Sequence, residues 1–158
     1  MIWGALAGGL VGTLVLTTGL RIAAELGWTR MSIPLLLGTV FTADRSRAEL
    51  VGYGLHFLNG LIFSFFYGLV FVAIDEAGWL LGLLFGLVHA GFAGGALVNI
   101  LLPAVHPRMG KPWSDAEETP LLESPGFMLG NYGRGTAAVT VVVHLAYGAI
   151  VGAFAAAA

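Results

Sequence analysis

Apolar and polar positions along the chain fall into four long apolar runs separated by two polar connections and one short turn. The runs are approximately Ile2–Leu20, Glu49–Ile74, Gly78–Ala104 and Thr136–Ala157. Each can cross a bilayer, which takes roughly 20 helical residues at about 1.5 Å rise each. The pattern predicts an all-α, integral membrane four-transmembrane-helix bundle, read as a single domain over residues 1–158. The connections cover about 21–48 and 105–135. "SIPLLLGTVF", Ser32–Phe41, is too short to span and is expected in the interface or folded back on the bundle. "SRAE", Ser46–Glu49, reads as a capping box that starts the second span, and "SDAE", Ser114–Glu117, as one that opens a short interfacial helix. The opening "MIWGALAGGLVG" has no basic residue before its apolar run and is read as a retained transmembrane helix.

Composition makes lipid the solvent. The chain is 58% hydrophobic and 10% charged, against about 25% charged residues in soluble domains. Glycines at Gly4, Gly8 and Gly12, at Gly78, Gly82 and Gly86, and at Gly91 and Gly95 form small-xxx-small ladders suited to close helix packing. All seven Lys and Arg residues lie in the two long connections, whereas the turn "DEAG", Asp75–Gly78, is acidic only. Basic loops stay in the cytoplasm. The expected topology has both termini outside, two cytoplasmic loops and one tight external turn. A net charge of −2 gives no reason to expect a nucleic-acid partner. The expected partners are the lipid bilayer and other membrane-protein subunits or a second copy of the chain.

From their histidines, spans two and four read "HFLNGLIFSFF" (His56) and "HLAYGAIVGAF" (His144), sharing H-x-x-[NY]-G-x-I-x-x-x-F. The echo suggests two parallel two-helix repeats about an axis along the membrane normal. Helical rise puts His56 about 10 Å and His144 about 12 Å into their spans, at matching depth, and His89 about 20 Å from the end of span three. An ionisable group inside a membrane faces the bundle interior and has a partner. Gly52, His56, Asn59, Gly60 and Tyr67 share roughly one face of span two, and Thr140, His144, Tyr147 and Gly148 one face of span four. Neutral imidazole ligates haem iron, copper or zinc, and Asn59 or Tyr147 can orient it. The competing reading is polar glue, each histidine bonding a carbonyl, Asn59, Asn99 or a tyrosine on a neighbouring helix.

Absences narrow the chemistry. The chain has no cysteine, so disulfides, thiolate metal sites and Cys nucleophiles are excluded. Glu49, Asp75 and Glu76 lie at span ends, against a carboxylate di-iron site, a carboxylate proton pump or a calcium or magnesium site. Ser64 lies two turns past His56, too far to pair with it, and the sequence has no triad, phosphate loop or zinc-protease motif. No enzymatic activity is expected. "HPRM", with His106 and Met109, reads as a turn at the membrane edge, its histidine facing headgroups.

"MSIPLLLGT", "LPAVHPRMG", "PGFMLGNYG" and "HLAYGAIVG" together resemble an uncharacterised family of small four-span bacterial inner-membrane proteins. The resemblance implies a bacterial cytoplasmic-membrane location and a four-helix bundle, and it implies no activity. It also implies that His106, Pro107, Arg108, Asn131 and Tyr132 belong to recurring motifs, which makes the loop after span three a second place to look for function. Three function classes follow. One is a small membrane subunit that binds haem b or a His-ligated transition metal (Cu, Zn or Fe) through His56, His144 and His89 and accompanies a larger redox complex in electron transport. Another is a non-catalytic scaffold subunit without cofactor, docking through its glycine faces. The last is a small transporter or channel.

Overall fold

The computed structural model describes residues 1–109 and 122–158. Four helices are long and apolar enough to cross a membrane. Helix α1 spans Ile2–Glu25 and runs past the apolar stretch because Arg21 Nε reaches Glu25 one turn on, at 2.8 Å. The chain then turns through Gly27, whose φ of +74° is the left-handed conformation that favours glycine. Helix α2, Ile33–Gly38, starts at Ser32, whose Oγ accepts from the Leu35 N–H, with Pro34 in its first turn. It folds back onto α3, Gly38 against the Ala48 carbonyl and Gly52 against that of Pro34.

Helix α3 spans Arg45–Ile74. Its cap is Asp44 rather than the Ser46–Glu49 box. Asp44 Oδ1 accepts from the Arg47 N–H at 2.7 Å and from Ser46 Oγ at 2.8 Å. A carboxylate two residues earlier is the stronger acceptor for free helix N–H groups. The same bonds, led by the Arg47 N–H, hold the Asp44 carboxyl below its ordinary value. Glu49, freed from capping, pairs with Arg45 at 3.4 Å. The third span is α-helical over Trp79–Gly91 (α4), π-helical over Phe92–Leu101, and α-helical again over Leu102–Val105 (α5). A 3₁₀ segment, Phe127–Tyr132, leads into α6, Thr136–Ala156. The "SDAE" box lies outside the described residues.

Helix α6 is the central element. The first glycine ladder docks on it: a Cβ at Gly8 would lie 2.9 Å from Val151 Cα, and one at Gly12 2.9 Å from the Tyr147 ring. The ladder of Gly78, Gly82 and Gly86 docks on its other side, against Gly152, Gly148 and the His144 carbonyl. These two ladders are therefore spent inside the bundle, whereas Gly91 and Gly95 have open space where a Cβ would lie. Helix α3 packs on α1, with Gly60 against Thr13 and Gly9 against Ser64. Spans two and three meet through side chains: the Phe71 and Phe85 rings stack at 5.3 Å and 7°, with Tyr67 edge-on to Phe85 at 5.4 Å. The two halves are consequently not packed alike, since α1 lies flush on α6 whereas rings and a cavity separate α3 from the π-helical segment.

The termini share one face of the bundle, the Met1 amino group donating to the Ala158 carbonyl at 3.2 Å, and the Gly78 turn lies there beside Gly152. The two long connections share the opposite face, joined where Arg30 N–H donates to the Tyr132 carbonyl and Thr29 meets Thr136 at 2.8 Å. Large apolar side chains such as Trp3, Leu50, Phe66, Leu80, Val88 and Val142 point outward. Apolar surface of that extent, on helices that satisfy their own backbone, is the surface of a protein solvated by lipid.

Candidate functional site

Helix geometry brings the predicted span residues to one place. A cavity of ≈ 320 Å³ lies in the half of the bundle nearest the long connections. His56, Asn59 and Gly60 line it from α3, His89 from α4, and Thr140, His144 and Tyr147 from α6. The rest of its wall is almost wholly apolar, supplied by Leu16 and Leu20 of α1, Met31 and Leu36, and the π-helical segment. A few polar groups converging on an apolar hollow is the usual make-up of a small-molecule site.

The closest imidazole pair is not the depth-matched His56 and His144. His144 instead meets His89, ring centroids 4.8 Å apart and edge-on at 77°. Tyr147 joins them, 5.7 Å from His89, and the Phe63 ring lies over His89 at 3.9 Å. The cause is the offset of the helices: Gly86 sits on the His144 carbonyl, so His89, one turn further along α4, is carried to the level of the His144 ring. Depth counted along each span alone does not contain that offset.

Each ring's hydrogen bonding shows what it has to offer. His144 Nδ1 lies 2.7 Å from the Thr140 carbonyl on its own helix, so that nitrogen donates and Nε2 keeps its lone pair. The Tyr147 hydroxyl donates to the Gly60 carbonyl across the bundle. His56 Nε2, His89 Nδ1 and Thr140 Oγ1 are buried with no partner, as is the Tyr67 hydroxyl. No hydrogen bond joins these histidines to Asn59, Asn99 or a tyrosine among the described residues, so the polar-glue reading does not describe them. Nor do three His, Asp or Glu side chains there converge closely enough to hold one metal ion.

Two features were not legible beforehand. The π-helical segment forms a whole wall of the cavity through Ala93, Gly94, Leu97, Val98 and Leu101. Its signal is the small-residue run "HAGFAGGA", which leaves backbone geometry free to widen. The 3₁₀ segment contributes Leu129, 2% exposed, on a backbone with left-handed φ of 49° at Met128 and 64° at Leu129. Such strain persists only where surrounding structure fixes it.

The loop motif holds the connections together. His106 does not face headgroups; it is 1% exposed, with Nε2 3.1 Å from the Leu36 carbonyl and 3.2 Å from Thr39 Oγ1. Its Nδ1 accepts from the Arg108 N–H at 3.0 Å, and Arg108 Nη1 donates to the Thr39 carbonyl at 2.6 Å. Residues 107 and 108 form the expected turn. Asn131 Nδ2 donates to the Ser124 carbonyl at 2.8 Å, while the Asn131 carbonyl accepts from Arg30 Nη2 at 2.6 Å. The Tyr132 hydroxyl donates to the Glu123 carbonyl at 2.6 Å, and burial, helped by the Glu123 charge, pushes that phenol up to about 12. The His106, Arg108 and Arg30 side chains thus clamp one connection to the other, while those of Asn131 and Tyr132 brace the later connection on itself. No family model, curated protein or solved structure matches this chain.

Proposed function

We propose that this chain is a small, non-enzymatic membrane subunit that holds a non-protein group in the histidine-lined cavity and accompanies a larger redox assembly in a bacterial cytoplasmic membrane. On this reading the long basic connections face the cytoplasm. One observation carries the proposal: of the four buried polar side-chain atoms without a partner among the described residues, three belong to residues that line a single cavity. An unsatisfied buried polar atom carries a penalty of about 1–3 kcal/mol, and several around one hollow call for a common occupant.

The donors fit a His-ligated transition metal or haem. His89 and His144, whose rings lie 4.8 Å apart, would hold such a group, with His56 as a further nitrogen donor on the same wall, and it would supply redox chemistry there. With no carboxylate on the wall, iron or copper fits better than a hard cation. The aromatic layer of Tyr67, Phe71 and Phe85 ends the cavity toward the termini, which does not favour a continuous pore.

The test is a visible spectrum of protein extracted in mild detergent, before and after dithionite, with elemental analysis of the same sample. A reduced haem band or a stoichiometric transition metal, lost in His89→Ala/His144→Ala, supports the reading. A sample empty of both, unaffected by that double substitution, overturns it.

A further inference from the structure

The cavity changes character along its length. Its inner end, around His89, His144 and Tyr147, is walled by rings, with Phe63 lying over His89. Its outer end is aliphatic, formed by side chains such as Leu36, Leu37 and Leu101. Two of the lining residues there, Leu101 and Val105, are 51% and 74% exposed on the last turns of span three. Apolar side chains that line a hollow and also face outward, on a membrane-crossing helix, mark an opening toward lipid. Among the described residues no charged side chain lines the cavity. Those at this end, Arg21, Arg30, Arg45 and Glu49 among them, line a separate polar cleft that shares only Leu20, Met31, Ile33 and His56 with the cavity. One hydroxyl in the cavity wall has no use in metal ligation. Thr13, Thr17 and Thr39 each donate to the carbonyl four residues back. Thr140 lines the cavity and is 2% exposed, yet its Oγ1 has no partner among the described residues.

We propose that the cavity takes a membrane-soluble quinone, its ring at the inner end and its hydrocarbon tail leading out past Leu101 and Val105 into the bilayer. A quinone oxygen accepts from the Thr140 hydroxyl, and the quinol form donates to it. The flat head meets the aromatic inner wall, and the tail meets the leucines. A charged head does not fit, because its charge would be buried unpaired. A plain acyl chain does not fit either, since it would leave the Thr140 hydroxyl unsatisfied. The ≈ 320 Å³ volume lies at the lower end of the range for small-molecule sites, about 300–1,000 Å³, and far exceeds what one ion fills. The inference rests on the reading of this cavity as a site for a non-protein group. It names a ligand for the aliphatic part that an ion at His89 and His144 would leave open.

The experiment is photolabelling of the protein as extracted, in nanodiscs of quinone-free phosphatidylcholine. The probe is a decyl-benzoquinone carrying a diazirine on the tail carbon next to the ring, and labelled peptides are mapped by mass spectrometry. Labelling is expected within residues 56–63, 89–98 and 140–147, saturable, and competed by decyl-benzoquinone but not by decylbenzene. Leu101→Trp, which obstructs the mouth, should abolish it, with Val105→Trp in its place if that variant does not fold. Leu84→Trp, exposed on the same span but off the cavity, should leave it unchanged. Thr140→Val keeps the shape and removes the hydroxyl, and should weaken competition by decyl-benzoquinone about three- to tenfold. Label confined to outward-facing side chains, equal competition by decylbenzene, or wild-type behaviour of the mouth and Thr140 variants would overturn the proposal. A metal or haem in the spectral test without quinone labelling sinks this inference alone. Quinone labelling of a sample empty of both sinks only the ligation reading.

Discussion

Filling the cavity separates a binding site from a simple void. Ala93, on the π-helical wall, is 9% exposed and faces the hollow. Replacing it with leucine adds roughly 80 Å³ of side chain, and filling empty space is worth about 24 cal/mol per Å³, so protein stripped of any bound group should gain about 2 kcal/mol. A group present at a hundred times its dissociation constant stabilises the fold by about 2.7 kcal/mol, and Ala93→Leu would remove that term by occupying its space. The measurement is reversible unfolding in mixed micelles. It compares gently extracted protein with the same protein after chelation and detergent exchange. Wild type is expected to lose about 2–3 kcal/mol on stripping, and Ala93→Leu to be indifferent to it. If wild type is unchanged by stripping and Ala93→Leu is about 2 kcal/mol more stable in both preparations, the hollow is an ordinary void and the binding argument fails.

Other expectations follow from the packing. A methyl group at Gly82 would meet the Gly148 carbonyl, and one at Gly148 the Gly82 carbonyl; either alanine variant should lose about 1–3 kcal/mol in the same assay, while Gly91→Ala, with open space around it, stays within about 0.5 kcal/mol. Tyr147→Phe removes the cross-bundle hydrogen bond to the Gly60 carbonyl, which keeps its helical N–H donor, and should lose about 0.5–1.5 kcal/mol. His106→Ala unpins Leu36 and Thr39 from the end of span three, and is expected to speed proteolysis within residues 30–44 while leaving the His89 and His144 NMR signals in place. The Tyr132 phenol is held neutral by folding. Its contribution to stability is complete below its ordinary value of about 10 and fades as pH rises toward about 12. Phenolate absorbance should show this late ionisation, and Tyr132→Phe should abolish it.

How much of this was readable residue by residue follows physical lines. The spans and their matched ends were legible because hydropathy is local. The glycine ladders announced close packing but not a partner, because any small-residue face fits any other. The shared docking of both ladders on α6 depends on which helices the connections bring together. His56, His89 and His144 were legible as inward-facing because lipid penalises any other placement. Their pairing was not, since it depends on how far one helix slides along the next. His106 looked like an interfacial residue because its partners, Leu36 and Thr39, lie about 70 positions earlier in the chain. The Ser46–Glu49 motif matched a pattern, but the charged acceptor Asp44, two residues upstream, bonds more strongly and is the cap.

The amino-acid order alone determined that this is a helical membrane protein with four crossings, termini on one face and basic connections on the other. Each of those follows from the transfer energetics of single side chains and backbone groups. Only the tertiary structure decided that α6 lies between α1 and α4 and that a cavity separates α3 from the π-helical segment. It alone decided that His89, rather than His56, meets His144, and that His56 stands between that cavity and a polar cleft. Those outcomes are set by relative displacements of helices, fixed by contacts between residues far apart in the chain, which no local pattern encodes.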